Sequence, residues 1–304
     1  MLRRVLALCA VFLVVFVART VVDAQVALTP SPDGHQTVPV FVNGRGPYPF
    51  ILDTGADGSA VYQWFARFAK LKTVAGAAGS LSGQTGTADV PLYKIDDLAM
   101  SDRHIEHVTV YGLPDRHDAG REAGVLGTDY MDGAIIAFDF PCGKVDVYAK
   151  PVESARAVGD DGAPVSAATV NGSGLLSIPI SVNGYAGTAV IDTGSRDTRM
   201  TPAFARAAGI DTRSADFHNG AAIYGANSNR MTPRVGPIGT VRFANVSVRD
   251  ARAEVIDLPV LRRDFGSRPA MLLGSDLLGK FRLVYDHQAR RIWIRASACA
   301  ADPR

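Results

Sequence analysis

A short apolar strand that ends in an aspartate is written twice in this chain. The first copy is Phe50-Ile51-Leu52-Asp53-Thr54-Gly55-Ala56 and the second is Ala189-Val190-Ile191-Asp192-Thr193-Gly194-Ser195. In each, three apolar residues lead into Asp-Thr-Gly, which sets a carboxylate where a buried strand turns. An isolated charge there is costly: it must find a partner or hold a proton. Two such strand ends brought face to face supply the partner. Taken singly, Asp-Thr-Gly is ordinary turn composition, because Asp caps local backbone and Gly accepts positive φ. The surroundings of the two copies decide the matter.

Upstream of each acid stands a near-copy, Val38-Pro39-Val40-Phe41-Val42-Asn43-Gly44 against Ile178-Pro179-Ile180-Ser181-Val182-Asn183-Gly184. Both predict a strand running into an Asn-Gly hairpin turn. Phe65-Ala66-Arg67 and Phe204-Ala205-Arg206 each begin 12 residues after their acid and predict short helices, the second opened by Thr201-Pro202 as cap and first position. Val125-Leu126-Gly127 and Leu272-Leu273-Gly274 follow, and an acid stands 12 residues after each glycine, at Asp139 and Asp286. Closing β patterns run Lys144-Val145-Asp146-Val147-Tyr148 and Arg291-Ile292-Trp293-Ile294. The same landmarks in the same order make the chain a tandem duplication of one all-β unit.

These motifs resemble the retropepsin-like aspartic proteases, whose signature is Asp-Thr-Gly-Ala/Ser after an apolar strand with a later hydrophobic-hydrophobic-Gly. The likeness spans roughly residues 36–296 and is strongest to exported bacterial, single-chain members. It implies two β-barrel lobes with short helices, related by a pseudo-twofold axis, with a cleft between them. It further implies an aspartic endopeptidase with Asp53 and Asp192 as its catalytic pair and a polypeptide as its substrate. Two acids about 3 Å apart share one proton, so one serves as base and the other as acid with no metal or cofactor required. Thr54 and Thr193 are placed to hydrogen-bond the opposite strand, and the resemblance makes them a brace between lobes. Gly55 and Gly194 let backbone amides approach the carboxylates.

The copies differ after the glycine. Ser195 is expected to donate a hydrogen bond to Asp192, while Ala56 offers Asp53 nothing, so Asp192 is expected to carry the charge and Asp53 the proton. Asp57 extends the first motif, and the resemblance gives it a contact to substrate; Arg196 takes the matching place in the second copy. A surface charge is the rival reading of Asp57. Gly86 and Gly225 each stand 33 residues after their acid and are expected at equivalent hairpin tips. Tyr224-Gly225 resembles the cleft-covering Tyr-Gly of pepsin-like lobes, with a plain hairpin aromatic as the alternative. A hinged hairpin of this kind excludes water and adds backbone bonds to an extended peptide.

Residues 1–24 read as a signal peptide, with Arg3-Arg4, an apolar run from Val5 to Ala18 and Val22-Asp23-Ala24 as cleavage site. Export to the periplasm or beyond is the expectation, and an uncleaved anchor the alternative. Cleavage would remove three arginines and one aspartate, taking the formal charge from +2 to 0. A neutral chain without a basic block gives no ground for nucleic-acid binding. Cleavage also removes Cys9 and leaves Cys142 and Cys299, which either pair or stay as two thiols. The expected organisation is an N-terminal lobe at 25–150, a Gly- and Asp-containing linker at 151–174, a C-terminal lobe at 175–296 and a tail at 297–304. His104 and His107 lie three apart on an alternating strand, without the helical spacing of a zinc site, so no metal is expected. An inert binding module of the same fold and an oligomer-dependent enzyme are the alternatives to a monomeric protease.

Overall fold

The computed structural model describes residues 24–116, 120–149, 164–170, 173–224 and 229–299. Two eight-stranded sheets carry the duplication. In the N-terminal lobe the strand order is Thr29–Pro30, Gln36–Val42, Arg45–Leu52, Gly124–Leu126, Ala60–Tyr62, Arg103–Leu113, Gly86–Met100 and Lys72–Gly83. In the C-terminal lobe it is Ala168–Thr169, Leu176–Val182, Tyr185–Ile191, Ala270–Leu273, Arg199–Met200, Val246–Val255, Arg234–Phe243 and His218–Asn219. Each sheet also closes on itself, Gln36–Val42 pairing with Gly86–Met100 and Leu176–Val182 with Arg234–Phe243. The fold is therefore all-β, in two barrel-like lobes, as the repeat predicts.

The repeated motifs form the same local structures in both lobes. Asn43 and Gly44 turn with φ of 51° and 71°, and Asn183 and Gly184 with 51° and 84°, the doubly positive turn that joins twisted strands at two residues. Thr201 accepts a bond from the Phe204 amide at 3.3 Å and opens the helix Pro202–Ala207; its counterpart is Gln63–Phe68. The Leu-Gly motifs supply the strands that lie parallel beside each acid-bearing strand, pairing Leu52 with Leu126 and Ile191 with Leu273. Asp53 and Asp192 then donate their amides to the Leu126 and Leu273 carbonyls at 2.9 and 3.1 Å. These bonds fix the exit point of each strand.

A third sheet belongs to neither lobe alone. Its order is Ala24–Ala27, Lys144–Ala149, Ala134–Asp139, Phe281–Asp286, Arg291–Ala296 and Val165–Ser166. At its centre Ile136 pairs with Tyr285 and Phe138 with Leu283, one strand from each repeat. All six residues of Ala134–Asp139 are buried, so the two repeats share one core at this floor. Asp139 and Asp286, the acids 12 residues past each glycine, accept from the Cys142 and Ala289 amides and cap equivalent turns.

Cys142 and Cys299 are paired, their Cα atoms 5.1 Å apart across 157 residues of sequence. Ser297 donates to Asp139 at 2.6 Å beside this bond, so the first residues of the expected tail are anchored to the shared sheet. Within the expected linker, the described residues include Val165–Ser166 on the shared sheet and Ala168–Thr169 on the C-terminal sheet. The expected signal sequence lies outside the described residues apart from Ala24, which pairs with Val147. Among the described residues no helix is long and apolar enough to cross a membrane.

Candidate active site

The two Asp-Thr-Gly turns meet across the lobe interface. Thr54 donates its hydroxyl to the Ile191 carbonyl at 2.8 Å, and Thr193 donates to the Leu52 carbonyl at 2.7 Å. Each hydroxyl also accepts the other threonine's amide, at 3.1 and 3.0 Å. Both side chains are buried, so four bonds close a dry, two-fold brace. The glycines explain themselves at this range. A Cβ on Gly55 would fall 2.5 Å from Asp192 Cγ, and one on Gly194 would fall 2.2 Å from Asp53 Cγ. Each carboxylate thus packs on the opposing turn's glycine, and the acids are neighbours.

Gly55 and Gly194 donate their amides to Asp53 Oδ1 at 2.7 and 3.2 Å, and Ser195 donates its amide to Asp192 Oδ1 at 2.8 Å. Burial and the adjacent Asp192 charge hold Asp53 well above the ordinary carboxylate range. Burial raises Asp192 too, but the Arg199 charge and the Ser195 amide oppose the rise. The two acids thus sit in unlike surroundings, with the Arg199 charge beside Asp192. The hydrogen bond expected from the Ser195 hydroxyl to Asp192 is not made. The Ser195 hydroxyl donates to the Asp197 carbonyl at 2.9 Å and accepts from Arg199 at 2.7 Å, which turns it away from Asp192. The buried Arg199, which reads in sequence as one more strand residue, takes over the role given to that hydroxyl.

A second layer repeats with the first. Asp129 accepts from the Ser59 amide and hydroxyl at 2.9 and 2.7 Å, and Asp276 accepts from the Thr198 hydroxyl at 2.6 Å. Ser59 and Thr198 in turn accept the Gly127 and Gly274 amides, each at 3.1 Å. Those glycines are obligatory, because a Cβ would meet Gly58 or Asp197 backbone at 2.7 Å. Beyond the Leu-Gly motif, the chain repeats as Leu-Gly-Thr-Asp and Leu-Gly-Ser-Asp, which is the sequence signal for Asp129 and Asp276.

A cleft of about 800 Å³ runs between the lobes, with Asp53 and Asp192 at its floor. The hairpin of Lys72–Gly83 and Gly86–Met100 stands over it, closed by a Gly83–Gly86 pair with Gln84 and Thr85 at the turn. Gly86 is thus at the tip as its spacing predicts. On the other lobe, Ile223–Tyr224 pairs with Arg230–Met231, and Tyr224 lines the cleft with its ring about half exposed. Gly225 lies outside the described residues. Asp57 is exposed at the cleft and Arg196 lines the opposite turn, its guanidinium donating to the Asp33 carbonyl at 2.6 Å.

Histidine 104 bonds Asp97 at 2.8 Å on an exposed strand. The metal-ready grouping among the described residues is elsewhere, at Asp33, His35 and Glu122. Arg116 already serves it as cation, bonded to Asp33 and 3.8 Å from Glu122 Oε2. Burial and Arg116 push the His35 imidazole down to about 4.

Comparison with known proteins agrees with this geometry. No curated protein matches the chain. The aspartyl protease family matches it twice, over residues 38–130 and 178–277, one match per lobe and together more than half of the chain. With two such units facing each other through their Asp-Thr-Gly turns, the chain belongs to the aspartyl protease family, as a tandem pair of retropepsin-like lobes.

Proposed function

We propose that this protein is an active aspartic endopeptidase in which Asp53 is the acid and Asp192 the base. The observation that carries the reading is the packing of each aspartate on the opposing glycine, with Asp53 inclined to hold the proton. A water between the carboxyls would give a proton to Asp192 as its oxygen attacks the scissile carbonyl carbon, while Asp53 protonates the carbonyl oxygen. The resulting gem-diol collapses as Asp192 passes its proton to the leaving nitrogen and Asp53 takes one back from a gem-diol hydroxyl, which breaks the C–N bond, frees both products and restores the starting protonation. Thr54 and Thr193 keep the carboxyls in register, and the hairpin at Gln84 shields the cleft from bulk water. Asp57 and Tyr224 line the peptide path at either side.

An extended polypeptide is the substrate this cleft fits, and a single chain supplies both acids. We further propose that the protein works outside the cytoplasm, as its N-terminal pattern and the Cys142–Cys299 bond support. Digestion of a peptide library from acid to neutral pH tests the central claim. Wild-type protein is expected to cut, a statine-type peptide to block cutting, and Asp53→Asn or Asp192→Asn to lower the rate at least about a thousand-fold. Tight binding of the statine peptide by a wild-type protein that cuts nothing would establish the inert binding module instead.

A further inference from the structure

The duplication is broken at one buried position beside the acids. Ala60 pairs with Val125 and Tyr111 in the N-terminal lobe, and Arg199 pairs with Leu272 and Glu254 in the same registers of the C-terminal lobe. All six line the cleft. Where one lobe offers a methyl beside a tyrosine, the other has a guanidinium, 7% exposed, bonded to Glu254 at 2.6 Å. Its Nη1 makes two further bonds at 2.7 Å. One goes to the Ser195 hydroxyl on the Asp192 loop and the other to Gln84 Oε1 at the tip of the opposite lobe's hairpin. Asn229 adds a bond from its amide to the Thr85 carbonyl at 3.5 Å, on the same turn.

We propose that Arg199 is a positioning residue that ties the N-terminal hairpin to the Asp192 loop, so that closing the hairpin over a peptide and setting that loop are one event. The proposal rests on the Asp53–Asp192 reading above. A single planar guanidinium bonded on three sides cannot follow the hairpin without moving what holds Ser195, and Ser195 donates the amide that orients Asp192. Arg199 also sets a positive charge against Asp192, and Ala60 cannot do the same for Asp53. Arg199 and Asp53 act on Asp192 directly. Around them Glu254 faces Arg199, Asp197 and Arg196, Asp276 faces Asp197, and Tyr285 on the shared sheet faces Asp53.

Three measurements separate this role from a merely structural one. Gln84→Ala, which leaves the Gly83–Gly86 pairing of the hairpin intact, is expected to raise KM about ten-fold and to leave both limbs of the pH–rate profile in place. Arg199→Met with Glu254→Gln removes the ion pair without stranding a buried charge. It is expected to raise KM equally and to shift the acid limb upward by about half a pH unit, since Arg199 is the largest influence holding Asp192 down and outweighs the lost Glu254 charge. Adding Gln84→Ala to that double variant should then change nothing more. Full additivity, or an acid limb that coincides with the wild type, overturns the proposal. Carbon NMR titration of the Asp192 carboxyl reads the same shift without any cutting. If wild type proves inert yet the titration moves upward in the double variant, the protease reading falls and the Arg199 link stands; an unmoved titration sinks the link alone.

Discussion

Thr54 and Asp53 are neighbours in sequence with opposite energetic roles. The Thr54 hydroxyl, fully buried, satisfies the Ile191 carbonyl and the Thr193 amide together. Thr54→Ala strands both groups in a dry interface and is expected to cost about 2–4 kcal/mol, read as a fall in the urea midpoint, whereas Thr54→Ser keeps the hydroxyl and most of the stability. Asp53 works against the fold at neutral pH. Its folded pKa lies above the ordinary 3.8, so its favourable contribution is complete below that value and is lost as pH rises through the folded value. Asp53→Asn removes that loss. Calorimetry is expected to find the variant's Tm higher than wild type at pH 7 and less dependent on pH.

Turns, hairpins and the strands they join decide how well those residues are held. Asn183 sits at φ 51°, and its side chain accepts from the Thr240 amide at 2.9 Å and donates to the Ile238 carbonyl at 3.1 Å. Asn43 does the same work in the first lobe, accepting the Asp96 and Asp97 amides. One residue type thus fixes a hairpin and ties it to the next strand. Asn183→Ala loses the bonds and is strained at positive φ, for an expected cost of about 2–3 kcal/mol in denaturant unfolding. Asn183→Gly relieves the backbone part alone and should fall between the two. The long hairpin over the cleft is of another kind. Its residues from Ala75 to Thr87 are small and polar, with few apolar contacts beyond Leu81, so its position depends on what Gln84 and Thr85 touch at the far lobe.

The molecule is more than two lobes on a tether. The floor sheet joins the closing strands of the two repeats edge to edge at Ala134–Asp139 and Phe281–Asp286, and the Cys142–Cys299 bond closes a loop of most of the second half around it. Opening one lobe would expose the buried faces of Ala134–Asp139 or Phe281–Asp286, so thermal unfolding is expected as one transition rather than two. Cys142→Ser with Cys299→Ser is expected to lower stability by about 3–5 kcal/mol, given the length of chain the bond closes, and to leave a single transition at lower Tm. Two resolved transitions in calorimetry would show that the shared sheet does not couple the lobes.

Sequence alone determined the repeat, and through it the lobes, the Asn-Gly turns, the capped helix and the identity of the facing acids. Those are set by local chemistry, by which residues accept positive φ, start a helix or end a buried strand, and local chemistry is written in order along the chain. The shared sheet was not legible, because Ala134–Asp139 carries apolar residues on both faces and nothing in its own letters names Phe281–Asp286 as partner. Nor was the source of the asymmetry between the acids. Ser195 next to Asp192 looked sufficient, yet a hydroxyl rotates toward the best partner in three dimensions, and Arg199, folded in from the next strand against Glu254 and Gln84, supplied it. Tertiary structure alone decided where that charge stands, since electrostatic influence depends on distance through space and on burial, neither of which spacing along a chain records.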